Sequence, residues 1–145
     1  MRDGEEKMFD ELELIAVWAG AALGMTGLWA YAEKRREADI VDAGWAAGVG
    51  LSAIYLAYVV GGDPARRLLL AGVAGIWSLR LTYYLMKHRV LRPGEDSRYA
   101  ELRRSWGAKV SRNFFLFFQM QAALVCILAT AFFAAAVAAE PLRLW

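Results

Sequence analysis

The sequence predicts an all-α, polytopic membrane protein, a bundle of four transmembrane helices with an amphipathic helix in the loop between the third and the fourth. Hydrophobic residues make up 59% of the 145 residues, against about 45–50% in an ordinary soluble domain. Charged residues still contribute 22%, so the charges must be segregated from the apolar stretches. This combination of long apolar stretches and separate charged connections is typical of a membrane-spanning bundle.

Four stretches are long enough to cross a bilayer core of about 30 Å, which needs about 20 apolar residues in a helix. The predicted spans are 14–32, 40–60, 68–86 and 114–139. Asp42 is the only charge in the second span and Arg80 the only charge in the third. Because the connections are short and polar, we expect residues 1–145 to form a single transmembrane domain.

The composition excludes several classes of protein. An aromatic content of 13% excludes a disordered chain. One cysteine, Cys126, and one histidine, His88, leave too few ligands for the common metal sites, so we expect no metal. A net charge of +2 is too small to indicate a nucleic-acid partner. The chemistry must therefore be sought among Asp, Glu, Arg, Tyr and Gln.

The distribution of Lys and Arg predicts the orientation. The first and third connections hold eleven of these residues and the opposite side holds five. Because basic residues favour cytoplasmic loops, we expect a multi-pass protein of the inner (plasma) membrane, with both termini outside and the basic third connection in the cytoplasm. The leader 1–13 holds six acidic residues against two basic ones, so we expect the first span to be a retained helix, not a cleaved signal peptide.

Charges within a span are costly, at about 2.5–3.5 kcal/mol each, and need a reason. Asp42 and Arg80 both lie in the cytoplasmic halves of adjacent antiparallel spans, so they could form an ion pair. Direct contact with a ligand is a second hypothesis. The third is that Arg80 extends to the membrane surface while Asp42 caps a helix start, a role that Asp39 could also fill.

Tyrosines and glutamines are the other polar candidates in the spans. Tyr83 and Tyr84 follow Arg80 by about one turn, and a tyrosine beside a cation can donate a proton or polarise a carbonyl. The alternative is that they belong to an interfacial aromatic belt. Gln119 and Gln121 enter the fourth span on different faces, so at most one should reach a central site. Hydrogen bonding between helices is the default role for either.

The third connection, 87–113, holds eight basic residues against three acidic ones. A turn at Pro93-Gly94 precedes a short amphipathic helix, predicted over 97–106. Basic residues beside a tryptophan at a membrane surface are typical of binding to anionic lipid headgroups. The alternative is an anion site in which arginines hold the phosphates of a ligand.

Several sequence elements follow one another in a specific order. They are W-S-L-R-L-T-Y-Y-L at 77–85, then Arg89, and G-E-D-S-R-Y-A-E-L-R-R-S-W-G at 94–107, flanked by D-I-V-D-A-G-W at 39–45 and F-F-Q-M-Q-A-A-L at 117–124. Together these elements resemble the steroid 5-alpha-reductase-like family, in particular its bacterial branch of uncharacterised membrane proteins. Members of this family are membrane reductases that use NADPH to reduce a carbon–carbon double bond conjugated to a carbonyl.

The resemblance implies an NADPH site on the cytoplasmic side and a lipid-like enone substrate. The residues that it assigns to the cofactor side are Arg89, Glu95, Asp96, Arg98, Tyr99 and Arg103. Those that it assigns to the wall of the substrate cavity are Asp42, Arg80, Tyr84 and Gln121. Hydride would go to the β-carbon while an acid polarises the carbonyl oxygen, and Tyr84 is the candidate acid.

Members of the family are nearly twice as long, and their second half carries a segment of the type R-H-P-N-Y-x-G-E that this sequence lacks. We therefore expect a half-enzyme that needs a second membrane chain, or a second copy in a homo-oligomer. A non-enzymatic four-helix scaffold or lipid-binding protein is the alternative. A small proton-coupled exporter is a third hypothesis, which Asp42→Asn would test by abolishing transport.

Overall fold

The computed structural model describes residues 2–137, and their side chains from residue 11 onward. Helix α1 spans Arg2–Arg35, α2 spans Ile40–Val59 and α3 spans Pro64–Leu85. A π-helical turn, Met86–Val90, extends α3. Helix α4 spans Ser97–Trp106, and a 3₁₀ turn, Gly107–Lys109, joins it to α5, Val110–Ala136. No strand occurs within this described part.

The predicted fold class is confirmed. Helices α1, α2, α3 and α5 are each long and apolar enough to cross a membrane, and α4 is the predicted amphipathic helix of the third connection. Helix α3 begins four residues before the predicted span, and α5 begins at Val110 instead of residue 114. The last two residues of the predicted fourth span, 138 and 139, lie outside the described residues.

Local chemistry explains where α3 and α4 begin. Asp63 accepts a hydrogen bond of 2.9 Å from the Arg66 backbone N–H, and Pro64 occupies the first helical position, where no N–H is needed. Asp96 caps α4 in the same way, with a bond of 3.0 Å from the Arg98 N–H. Acidic caps thus separate the third span and the amphipathic helix from the loops that precede them.

The α2–α3 turn requires a glycine at its second position. Gly62 has a φ of 126°, and a Cβ there would lie 2.2 Å from the carbonyl oxygen of Ala136 at the end of α5. Because only glycine adopts this conformation without a steric penalty, the turn can pack directly against α5.

Helix α2 is the centre of the bundle, because it packs against α1, α3 and α5. Leu56, Ala46 and Val41 of α2 are fully buried, as is Phe118 of α5. Helices α1 and α3 lie on either side of α2 and, over the described residues, do not pack against each other. They expose large apolar side chains, such as Leu23 and Ile76, that suit contact with lipid tails.

Hydrogen bonds between the spans fix their relative rotation. Ser78 of α3 donates to the Ala46 carbonyl of α2 over 2.7 Å, and Gly50 of α2 lies so close to Ser78 that a Cβ would clash with it. Gln119 of α5 donates to Thr26 Oγ1 of α1 over 3.0 Å. These bonds hold α3 and α5 with defined faces toward their neighbours.

Candidate functional site: an ionic cluster and an apolar cleft

Charged side chains converge at the end of the bundle where α2 begins and α3 ends. We call this group the ionic cluster. Its members are Asp39, Asp42, Arg89, Glu95, Asp96, Arg98, Tyr99 and Arg103. It brings together two sequence elements, D-I-V-D at the start of α2 and E-D-S-R-Y ahead of and within α4.

Asp42 is the acceptor at the centre of the ionic cluster. Its Oδ1 accepts a hydrogen bond of 2.7 Å from the Tyr99 hydroxyl. Its Oδ2 accepts from Arg89 Nη1 at 3.0 Å and from Arg98 Nη2 at 3.3 Å. Tyr99 is only 3% exposed, so this contact ties α4 to α2 from inside the fold.

The remaining contacts of the ionic cluster join the loop to the α1–α2 connection. Glu95 accepts two hydrogen bonds from Arg103, of 2.9 and 3.1 Å, and one of 2.8 Å from the Ala38 backbone N–H. Asp39, which is buried, accepts from the Asp96 backbone N–H at 3.1 Å. Each carboxylate therefore has a donor, as buried or half-buried charges require.

The pKa values of Asp39 and Asp96, two carboxyl groups in the connections between the spans, are shifted in opposite directions. Burial raises the pKa of Asp39, and the hydrogen bond from the Asp96 N–H opposes that rise. The backbone N–H of Arg98, followed by its side chain, lowers the pKa of Asp96. The surroundings of Asp96 therefore favour its charged form, whereas burial opposes the charged form of Asp39.

The π-helical turn places Arg89 in the ionic cluster. The Leu91 N–H bonds to the Met86 carbonyl, five residues back, over 2.9 Å. This wider turn carries Arg89 to Asp42, and also to within 3.5 Å of Asp96 Oδ2. Single π-helical turns within α-helices are frequent at functional sites.

The hypothesis of an ion pair between Asp42 and Arg80 is wrong in this structure. Ser78 faces α2 through its bond to Ala46, and Arg80 lies two residues further on, about 200° around a helix of 3.6 residues per turn. Its side chain is consequently exposed on the far side of α3. Arg89 and Arg98 take the place at Asp42 that Arg80 was expected to fill.

The other cavity candidates do not meet Asp42. Tyr84 is exposed and its ring lies 4.6 Å from that of His88, while Tyr83 is exposed beside Lys87. Gln121 is half-buried on α5, two residues from the hydrogen-bonded Gln119. The structure therefore assembles the six loop residues with Asp42, and leaves Arg80, Tyr84 and Gln121 outside that assembly.

An apolar cleft of about 760 Å³ opens between α1 and α2, with the end of α3 closing one side. Small residues form most of its walls and floor. They include Gly20, Gly24, Ala43, Gly44, Ala47 and Gly48. Its volume lies within the range of about 300–1,000 Å³ found for small-molecule sites. Because small side chains leave room that larger ones would fill, the cleft is a direct consequence of this glycine and alanine pattern.

Three polar side chains line the cleft. Ser52 donates to the Val49 carbonyl over 2.9 Å, and the Tyr55 hydroxyl bonds to Glu13 near the opposite end from the ionic cluster. Thr82 lies on the α3 side, one turn before Met86. Its buried hydroxyl has no hydrogen-bond partner among the described residues.

Comparison with protein families identifies the group to which the chain is related. Residues 28–145 match the family DUF1295, whose description is a protein of unknown function. The chain belongs to the DUF1295 family. A search of curated proteins found no match, and a search of solved structures found none either.

The part of the chain that matches DUF1295 contains the whole ionic cluster and the α2, α3 and α5 sides of the cleft. Sequence reasoning missed Thr82, although it stands directly before Tyr83 and Tyr84. The signal that could have found it is the spacing of four from Ser78, which places both hydroxyls on one face of α3.

Proposed function

We propose that this protein binds a lipid-like enone in the cleft and forms the substrate-holding part of a membrane reductase. In this proposal a second chain or copy completes the site for NADPH. The cleft carries the proposal: it is apolar, it is large enough for a small lipid, and it lies among helices that are long enough to span a membrane. The reductase chemistry rests on the resemblance to the steroid 5-alpha-reductase-like family.

The ionic cluster by itself does not fit NADPH. It holds four carboxylates against three guanidinium groups, and Arg89, Arg98 and Arg103 are all paired within it. A ligand with several phosphate charges would have to displace these existing ion pairs. We therefore assign the ionic cluster the task of docking α4 on α2.

Three exposed cations outside the ionic cluster suit a phosphate ligand better. Arg92, Lys109 and Arg112 are exposed and have no carboxylate within 4 Å in the described part of the chain. They form only an open surface, whereas a dinucleotide needs an enclosing site. A second chain or copy over this surface is what the reductase proposal requires.

Two glycines of α1 allow a test of whether the cleft binds the ligand. Gly24 lines it and Gly27 does not, and a Cβ at either position would meet nothing within 4 Å. Gly24→Leu should fill the cleft and lower the binding of cholestenone, a sterol enone, by about tenfold or more, measured on the full chain in lipid nanodiscs. Gly27→Leu is the matched control and should bind as the wild type does. Equal binding by all three proteins would contradict the proposal.

A non-enzymatic lipid-binding scaffold is the second candidate, favoured by the internal pairing of the ionic cluster. NADPH titration of the purified protein distinguishes the two, with nucleotide fluorescence as the readout and Arg112→Ala as the variant, because Arg112 is an exposed cation outside the ionic cluster. Saturable binding that is lost in the variant supports the reductase. Absence of binding at millimolar NADPH, with cholestenone still bound, supports the scaffold.

A further inference from the structure

We propose that Thr82 is the polar anchor of the cleft, where its hydroxyl donates a hydrogen bond to an oxygen on an otherwise apolar ligand. This inference rests on the proposed function, because it assumes that the cleft binds a lipid-like molecule. To that function it adds the chemistry of the ligand, which would be an apolar molecule with a single hydrogen-bond acceptor. It also adds the ligand's orientation, with the acceptor on the α3 side.

The hydrogen bonding of the three polar side chains in the cleft supports the inference. Ser52 is bonded to Val49 and Tyr55 to Glu13, so both hydroxyl donors are already used. Thr82 is the remaining one, and its hydroxyl has no partner in the described residues. A buried donor without a partner is unfavourable, and an acceptor on a ligand would remove that cost.

The geometry of α3 allows Thr82 to present its hydroxyl to the cleft. A threonine on a helix divides between two χ1 rotamers, one of which bonds the carbonyl of the preceding turn. That bond is absent here. Rotation about χ1 by about 120° carries the hydroxyl into the position of the methyl group, and the methyl group takes the place of the β-hydrogen, so the hydroxyl can turn into the cleft without movement of the helix. Ser78, one turn earlier, uses its own hydroxyl to bond α2 and is not available to a ligand.

The position of Thr82 also defines which end of the ligand it would hold. Thr82 of α3 and Met86 of the π-helical turn line the cleft on this side, and the same turn carries Arg89 to Asp42. The anchored oxygen would therefore lie near the ionic cluster. The apolar body would extend toward Tyr55 at the opposite end.

The test compares two sterols that differ by one oxygen. Cholestenone and cholestene, which lacks the carbonyl, are placed at equal mole fractions in nanodiscs with the full chain. Native mass spectrometry then measures the ratio of the two bound forms. We expect the wild type to prefer cholestenone by about fivefold, the equivalent of one hydrogen bond of about 1 kcal/mol. Thr82→Val should reduce the ratio to about one, and Thr82→Ser should retain the preference.

Thr130→Val is the matched control, because Thr130 lies on α5 outside the cleft and bonds its own helix at Ile127. It should leave the ratio unchanged. If the wild type bound both sterols equally, or if Thr82→Val kept the preference, the role of Thr82 would be refuted. The proposal that the cleft binds a lipid-like ligand would still hold. If neither sterol bound, the proposed function would fail as well. Circular dichroism of each variant checks that it is folded.

Discussion

The phenolic hydroxyl of Tyr99 donates a hydrogen bond of 2.7 Å to Oδ1 of Asp42, from a ring that is only 3% exposed. The same ring packs edge-to-face on Phe114 and Phe117 of α5, at 6.4 and 6.0 Å. One side chain therefore joins the amphipathic helix, the start of α2 and the start of α5. This contact makes the third connection a part of the bundle instead of a free loop.

Removing that hydroxyl should destabilise the protein. A hydrogen bond to a charged group is worth about 1.5–3 kcal/mol, and Asp42 keeps two arginine donors, so we expect Tyr99→Phe to cost about 1–2 kcal/mol. Unfolding in detergent, followed by circular dichroism, measures the change. Tyr58→Phe is the control, since Tyr58 is 84% exposed. Equal stability of the two variants would contradict the role assigned to Tyr99.

Asp96 should give the protein a stability that is lost in acid. Its pKa is lowered in the folded state by Arg98, so its contribution is present above the ordinary carboxyl pKa of about 4 and is lost as pH falls through the folded value. Asp96→Asn retains a capping oxygen and should be about 1 kcal/mol less stable at pH 7. The difference should shrink as pH falls below about 4 in melting curves; a constant difference would contradict this linkage.

Asp39 should show the opposite trend in the same experiment. Its pKa is raised by burial, so its favourable contribution is present below the ordinary pKa and is lost as pH rises through the folded value. The stability of Asp39→Asn relative to the wild type should therefore improve as pH rises from about 3 to about 7. A relative stability that falls over this range would mean that Asp39 is held as an anion.

The two glutamines of α5 should differ in importance. Gln119 donates to Thr26 Oγ1 and lies 3.4 Å from the Ala22 carbonyl. Among the described residues, the side chain of Gln121 has no hydrogen-bond partner. Hydrogen bonds between membrane helices are worth about 0.6 kcal/mol on average. We expect Gln119→Leu to lose about that amount, and Gln121→Leu to lose nothing measurable in the same unfolding assay. The reverse order would contradict the observed rotation of α5.

The predicted orientation has its own test. In a Cys126→Ala background, a cysteine introduced at the exposed Ser97 should react with impermeant thiol reagents only from the cytoplasmic face. Labelling from outside would show that the protein has the opposite orientation in the membrane. It would leave the ionic cluster and the cleft as they are, because neither depends on the direction of insertion.

Hydropathy was sufficient to predict the four spans, because a membrane-spanning helix needs a length of apolar sequence that is visible without tertiary information. The amphipathic helix was also predictable, from the turn at Pro93-Gly94 and the spacing of Tyr99, Leu102 and Trp106 on one face. Helix α1 extends beyond the predicted span 14–32 at both ends, from Arg2 to Arg35.

The partners of Asp42 could not be predicted from depth alone. Asp42 and Arg80 lie at similar depths, but an ion pair also depends on the rotation of each helix, which Ser78 and Gly50 determine by close packing. The π-helical turn that carries Arg89 to Asp42 has no clear sequence signal. The cleft is likewise a tertiary feature, because the same glycine and alanine pattern also predicts close helix packing.

Photocrosslinking in nanodiscs tests the central claim, that the cleft binds a lipid-like ligand, most directly. A cholestenone analogue carrying a diazirine is activated by light, and the labelled peptides are mapped by mass spectrometry. We predict that the label concentrates on the cleft walls of α1 and α2, within 16–28 and 40–55, and that Gly24→Leu removes it. Label spread equally over the exposed face of α3, at Ile76, Leu79 and Tyr83, would contradict the claim.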